Sequence, residues 1–192
     1  MRNGTLSLQK SLSKVLPNSK VVTLIEILFL LFIGMTAITL HAKLRMPMHL
    51  PGKHGLTFMF MIIAGWSVSS VRYAALTSCI GAAALLFTNV LGFGDPFIAG
   101  TYLVLGFVLD ILLNSSLNLQ SKIWFVALVS GLSYMIIPLT RLFLSMLTGF
   151  QYGSLITGSL YPISTHFVFG FTGGLLAILA AKGLEKMLNS KY

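Results

Sequence analysis

The chain has 192 residues, 56% of them hydrophobic and 9% charged, with a single cysteine and a formal charge of +9. A soluble domain carries about a quarter charged residues, so this composition excludes an ordinary water-soluble globule and points to lipid as the main solvent. The basic residues stand at the ends of apolar runs, which argues for membrane anchoring and against nucleic-acid binding, and the lone Cys79 excludes an intramolecular disulfide or a cysteine metal cluster.

Residues 1–20 read as a basic, polar cytoplasmic segment. Leu8, Leu12, Val15 and Leu16 would share one face of a short helix there, opposite Lys10 and Lys14. The apolar run that follows is as long as a full span, and no small-x-small site ends it, so it is read as a retained span rather than a cleaved signal. Six spans are predicted, over 21–40, 54–70, 73–93, 96–113, 123–147 and 161–184. Each is expected to be α-helical, because lipid offers backbone groups no hydrogen-bond partner. The fourth is entered through Gly94-Asp95-Pro96, the fifth is interrupted by Pro138, and the sixth follows a Gly/Ser/Thr-rich loop. The fold class is therefore an all-α integral membrane protein. It is a compact bundle of six transmembrane helices over 21–184, followed by a cytoplasmic tail at 185–192. The length suits one such bundle, without an appended catalytic or ATP-binding domain.

Orientation follows from the cations. With the N-terminus cytoplasmic, the inside holds Arg2, Lys10, Lys14, Lys20, Arg72, Lys122, Lys182, Lys186 and Lys191. The outside then holds Lys43, Arg45 and Lys53, and Arg141 falls inside a span. Both termini are thus expected to be cytoplasmic, in the inner (plasma) membrane. The loop at 42–53 (AKLRMPMHLPGK), flanked by His41 and His54, becomes an outward basic lid. Small residues mark close helix contacts, with Gly81, Ala82 and Ala84 in the third span and Gly170, Gly173, Gly174, Ala177 and Ala181 in the sixth.

Polar groups at membrane depth are the functional candidates. Arg141, three residues after Pro138 in an outer half-span, is read either as the holder of an anionic substrate group or as an interfacial anchor paired with Asp95. Asp95 in its Gly-Asp-Pro turn suits a helix cap. Asp110 and Asn114 share a face near the inner end of the fourth span and suit a pair with Arg72 or Lys122, while Glu26 suits an inner ion pair. His41, His49, His54 and His166 gather at the outer side, where imidazole suits nickel, cobalt or zinc, but their spacings match no fixed metal motif. Tyr134, Gln151, Tyr152, Tyr161 and Trp66 are either pocket lining or interfacial aromatics. Ser130-Gly131 with His166 resembles the serine–histidine pair of rhomboid intramembrane proteases. The required Gly-x-Ser-Gly is replaced by Leu128-Val129-Ser130-Gly131, and the first-loop Trp-Arg pair is absent.

The whole pattern resembles the substrate-binding S components of energy-coupling factor (ECF) transporters. The likeness rests on six spans, a long first outer loop, and the basic turn Ser70-Val71-Arg72-Tyr73-Ala74-Ala75-Leu76 leading into a small-residue span with Gly81. The run at 103–113 continues it. The resemblance implies a non-enzymatic subunit that needs no cofactor and captures a vitamin or related micronutrient. A membrane-embedded T component and two ATPase subunits, on separate chains, would drive uptake. No Walker motif occurs in this sequence. The Gly-rich element of biotin-type members is missing. Met48-His49-Leu50-Pro51-Gly52 is similar to the Met-His-x-Pro opening of nickel and cobalt members, which leaves metal uptake as the alternative. The substrate site is expected at the outer ends of the fourth to sixth spans, built from Arg45, His49, Lys53, His54, Asp95, Tyr134, Arg141 and His166. The coupling surface is expected on the small-residue faces at Gly34, Ala37, Gly81 and Ala82.

Overall fold

The computed structural model describes residues 12–13, 15–16, 18–44, 50–116, 118–156 and 158–189. Among them every regular element is helical: α1 (Ser19–Lys43), α2 (Gly55–Val68), α3 (Ala74–Phe87), α4 (Ile98–Ser115), α5 (Ile123–Tyr134), α6 (Ile136–Thr148), a short 3-10 turn (Gly153–Leu155) and α7 (Leu160–Asn189). The six expected spans correspond to α1, α2, α3, α4, α5 with α6, and α7. Four stretches, Ser19–Lys43, Ile98–Ser115, Ile123–Thr148 and Leu160–Met187, are long and apolar enough to cross a membrane. The other two, α2 and α3, have 14 residues each. At 1.5 Å per residue they reach about 21 Å, short of the ~30 Å of a hydrocarbon core.

Helix ends follow local chemistry. The Asn18 side chain accepts from the Lys20 N–H at 3.0 Å and starts α1. The third span was expected to run to residue 93, but α3 stops at Phe87: Asn89 (φ 54) and Gly92 (φ 69) take left-handed turns that the apolar Val90 and Leu91 do not override. Pro138 has no N–H for the Tyr134 carbonyl one turn back, and the helix breaks at Met135 between α5 and α6. Gly149, at φ 72, closes α6.

The helices close into a ring in the order α1, α3, α4, α5, α7, α2. No residue of α2 is exposed. Its Phe58, Met59, Ile62 and Ile63 join Leu105 and Leu109 of α4 in the core. The outer faces are apolar instead, with Leu24, Phe32, Phe107, Trp124, Phe143, Val168 and Leu179 exposed, as a lipid-facing surface requires.

Polar contacts sort into two ends. At one, the Ser70 hydroxyl donates to Glu26 at 2.6 Å, and Asp110 accepts the backbone N–H groups of Ala75 and Leu76, the latter at 2.7 Å. Asn114 donates to the Arg72 carbonyl, and Lys182 donates to the Ser121 carbonyl at 2.7 Å. The other end holds His41, His54, Asp95, Tyr102, Arg141 and His166. The starts of α1, α3 and α5 and the finish of α7 therefore share the first end, opposite the loop that joins α1 to α2.

Three expectations, two at the first end and one about packing, meet the structure here. Asp110 was matched with Arg72 or Lys122; its carboxylate caps α3, whose N-cap residue Tyr73 offers no side-chain bond to the exposed amides. Glu26 was read as half of an ion pair. It is 1% exposed and takes the Ser70 hydroxyl, while its Oε1 has no hydrogen-bond partner among the described residues. The small residues assigned to a partner are consumed internally. A Cβ on Gly34 would collide with the Ser78 carbonyl and one on Gly81 with the Leu31 carbonyl, and Ala37 and Ala82 are fully buried. That face is the α1–α3 seam.

Candidate functional site

The end of the bundle that carries the loop joining α1 to α2 gathers a polar cluster that several elements build together. His41, in the last turn of α1, stacks on His54 at the mouth of α2, with centroids 4.5 Å apart and planes 10° apart. The Tyr102 hydroxyl from α4 lies 2.8 Å from His41 Nδ1, and Tyr102 packs on Phe58 of α2. Phe93 meets the His41 ring edge-on. These contacts therefore tie three helices and the α3–α4 loop together.

Across the cluster, Tyr134 of α5 stacks on His166 of α7, with centroids 5.1 Å apart. His166 Nδ1 lies 2.6 Å from the Pro162 carbonyl one turn earlier. A carbonyl only accepts, so Nδ1 carries the proton and Nε2 is the nitrogen left for a ligand. Glycines allow this approach. A Cβ on Gly55 would run into the Tyr134 ring, and one on Gly52 would stand 2.7 Å from His166 Nδ1. Gly52 also has φ +78, a conformation other residues adopt only with strain. The end of the first loop thus rests directly on His166.

Asp95 and Arg141 form the rim. Arg141 Nε lies 3.4 Å from Asp95 Oδ2, with the side chains 22% and 13% exposed. Asp95 Oδ1 accepts from the Phe97 N–H at 3.0 Å and from the Tyr152 hydroxyl at 3.3 Å, so the ion pair is present, but Asp95 holds the turn before α4 rather than capping it: the N-cap is Phe97, which has no side-chain cap bond. The guanidinium sits 5.5 Å from the centre of the Tyr152 ring. Burial and the adjacent Asp95 carboxylate push the Tyr152 phenol up, against the pull of Arg141, which keeps it a protonated donor. Arg141 is close enough for its charge to act on His41, Tyr102, Tyr134 and His166.

At this end of the bundle His54 Nδ1, Asp95 Oδ2 and Arg141 Nε, and within α5 Ser133 Oγ, are shielded from solvent without a hydrogen bond, Asp95 and Arg141 meeting only through their 3.4 Å ion pair. Such atoms are costly unless ordered water or a bound molecule satisfies them. Of the residues expected from sequence, His54, Asp95, Tyr134, Arg141 and His166 are brought together, with the half-buried Lys53 beside His54 in the same turn. Arg45 and His49 lie outside the described residues. His41 and Tyr102 belong to the cluster and were not assigned to the site. Tyr152 was left undecided and is a member. Trp66 is buried near the end of α2 that lies away from the cluster, and Tyr161 is 46% exposed.

The catalytic pairing of Ser130 with His166 is not formed. Ser130 donates to the Val126 carbonyl at 2.7 Å and packs on Gly174, two helical turns or about 12 Å along α7 from His166. Among the described residues, no group of three or more His, Cys, Asp or Glu side chains is placed to hold a metal ion. Comparisons of the chain with family models, curated proteins and solved structures give no match.

Proposed function

We propose that the chain is the substrate-capture subunit of an ECF-type importer in the bacterial inner membrane. It binds a vitamin or related micronutrient at an outward site beneath the 42–53 loop, with both termini cytoplasmic. The observation that carries this reading is the set of buried, unsatisfied polar atoms on His54, Asp95, Ser133 and Arg141, next to the two stacked ring pairs. Paired rings offer flat apolar faces to an organic molecule, and the guanidinium offers a charged fork. The closed ring of helices, of which α2 is one, supports a rigid binding body that leaves energy coupling to other chains. Those chains are a T component and two ATPases.

The nickel or cobalt alternative has weaker support, because the imidazoles are engaged with Tyr102, with the Pro162 carbonyl and with one another. The test is mass spectrometry of small molecules retained by the full-length protein purified in mild detergent. An organic micronutrient retained by the wild type and lost from Arg141→Ala supports capture. Retention of nickel or cobalt alone would transfer the argument to the metal reading, and retention of nothing would remove it.

A further inference from the structure

The rim pair has an unusual form for so sheltered a place. Charge-assisted N–H···O contacts close to about 2.7–2.9 Å, and arginine commonly meets a carboxylate through two such bonds. Here Arg141 Nε stands 3.4 Å from Asp95 Oδ2, and neither atom has a hydrogen bond although both are shielded from solvent. Each partner is positioned without help from the other. Asp95 is fixed through Oδ1 by the Phe97 N–H and the Tyr152 hydroxyl, at the entry to α4. Arg141 projects from α6, where only Ile137 and Pro138 are buried, and rests over Tyr152. The pair is therefore prepared to separate without dismantling its supports.

Separation sets a charge requirement. An anion taken by Arg141 alone would draw from Asp95 Oδ2 the guanidinium that stands 3.4 Å from it. A cation taken by Asp95 alone would strand the guanidinium. Breaking a buried pair by removing one partner is strongly unfavourable. No other carboxylate relieves this, because Glu26, Asp110 and Glu185 belong to the opposite end of the bundle. We infer that the captured molecule is a zwitterion: its anionic group enters between the pair to meet Arg141, and its cationic group meets Asp95 Oδ2. This rests on the capture reading above and narrows it.

The probe for the test is the small molecule extracted from the wild-type full-length protein, purified and added back to ligand-stripped protein in detergent. Its charge is read by electrophoresis across pH, its affinity by calorimetry and the fold by thermal unfolding. The expected result is a molecule carrying both charges at pH 7, bound about thirtyfold or more weakly by Asp95→Asn and by Arg141→Gln alike. The swap Asp95→Arg with Arg141→Asp restores the melting temperature without restoring affinity, because the molecule's two charges then face like charges. A purely anionic molecule bound as well or better by Asp95→Asn overturns the zwitterion and leaves capture standing. A swap that restores affinity together with melting temperature makes the pair a structural clasp and overturns it too. If wild-type protein yields no small molecule, capture and this inference fall together.

Discussion

The Tyr134 ring lies stacked on the His166 ring, 29° from parallel, with Gly52 of the first loop pressed against the far partner. This contact couples α5 to α7, and the end of the loop can rest on it only through a residue that has no side chain. Replacing Gly52 by alanine puts a methyl against His166 Nδ1 and strains a positive φ, at a cost of roughly 1–2 kcal/mol. Gly52→Ala is expected to weaken ligand affinity about tenfold, with a small change in melting temperature. Calorimetry beside a thermal scan measures both, and unchanged affinity would detach the loop from the site.

The α1–α3 seam leaves no room for side chains at Gly34 and Gly81. Overpacking a tight contact costs about 1–3 kcal/mol and more where the obstacle is backbone, as it is at both positions. Gly81→Val is expected to lower the melting temperature sharply and to reduce the yield of folded protein. A stable Gly81→Val that binds normally yet fails to transport would return this face to a partner.

Asp110 holds two amides at the start of α3, far from the outer cluster. Asp110→Ala is expected to destabilise the fold by about 1–3 kcal/mol, since those buried donors lose their acceptor. Ligand affinity of the protein that remains folded should be unchanged. A loss of affinity without a loss of stability would mean that the inner end takes part in binding.

Orientation is tested with Lys53→Cys and Lys122→Cys in a Cys79→Ala background, which removes the buried thiol without burying a hydroxyl. An impermeant reagent is expected to label Lys53→Cys in intact cells and to spare Lys122→Cys. The reverse pattern would invert the protein in its membrane.

The helices were legible because their hydrophobic runs and breakers are local. The predicted 123–147 span meets α5 and α6 almost residue for residue, and Pro138 announced the break. The early stop of α3 was not legible, because Val90 and Leu91 continue the apolar run while the turn depends on the φ of Asn89 and Gly92. Arg141 and Asp95 stood out as charges in apolar company, and their pairing was one of the two readings weighed. His41 was read only as a flank of the first loop and one of four gathered histidines, and Tyr102 was missed for a different reason. A single tyrosine on the buried face of α4 looks like core, and its hydroxyl finds His41 across a sequence separation of 61 residues. The small residues gave the right signal of close approach without saying whether the neighbour was another chain or another helix. Only the reciprocal collision geometry at Gly34 and Gly81 decides that.

The central claim is that the outer cluster around Arg141 binds the captured molecule. Its most direct measurement is calorimetry of that molecule, extracted from the wild type, against wild-type protein, Arg141→Lys and Arg141→Ala. A sheltered guanidinium meeting an anionic group predicts a large loss of affinity for Arg141→Ala, of roughly 2–5 kcal/mol. A substantial loss is also expected for Arg141→Lys, which keeps the charge but not the fork. Equal affinity in all three proteins would contradict the account and leave Arg141 an interfacial anchor.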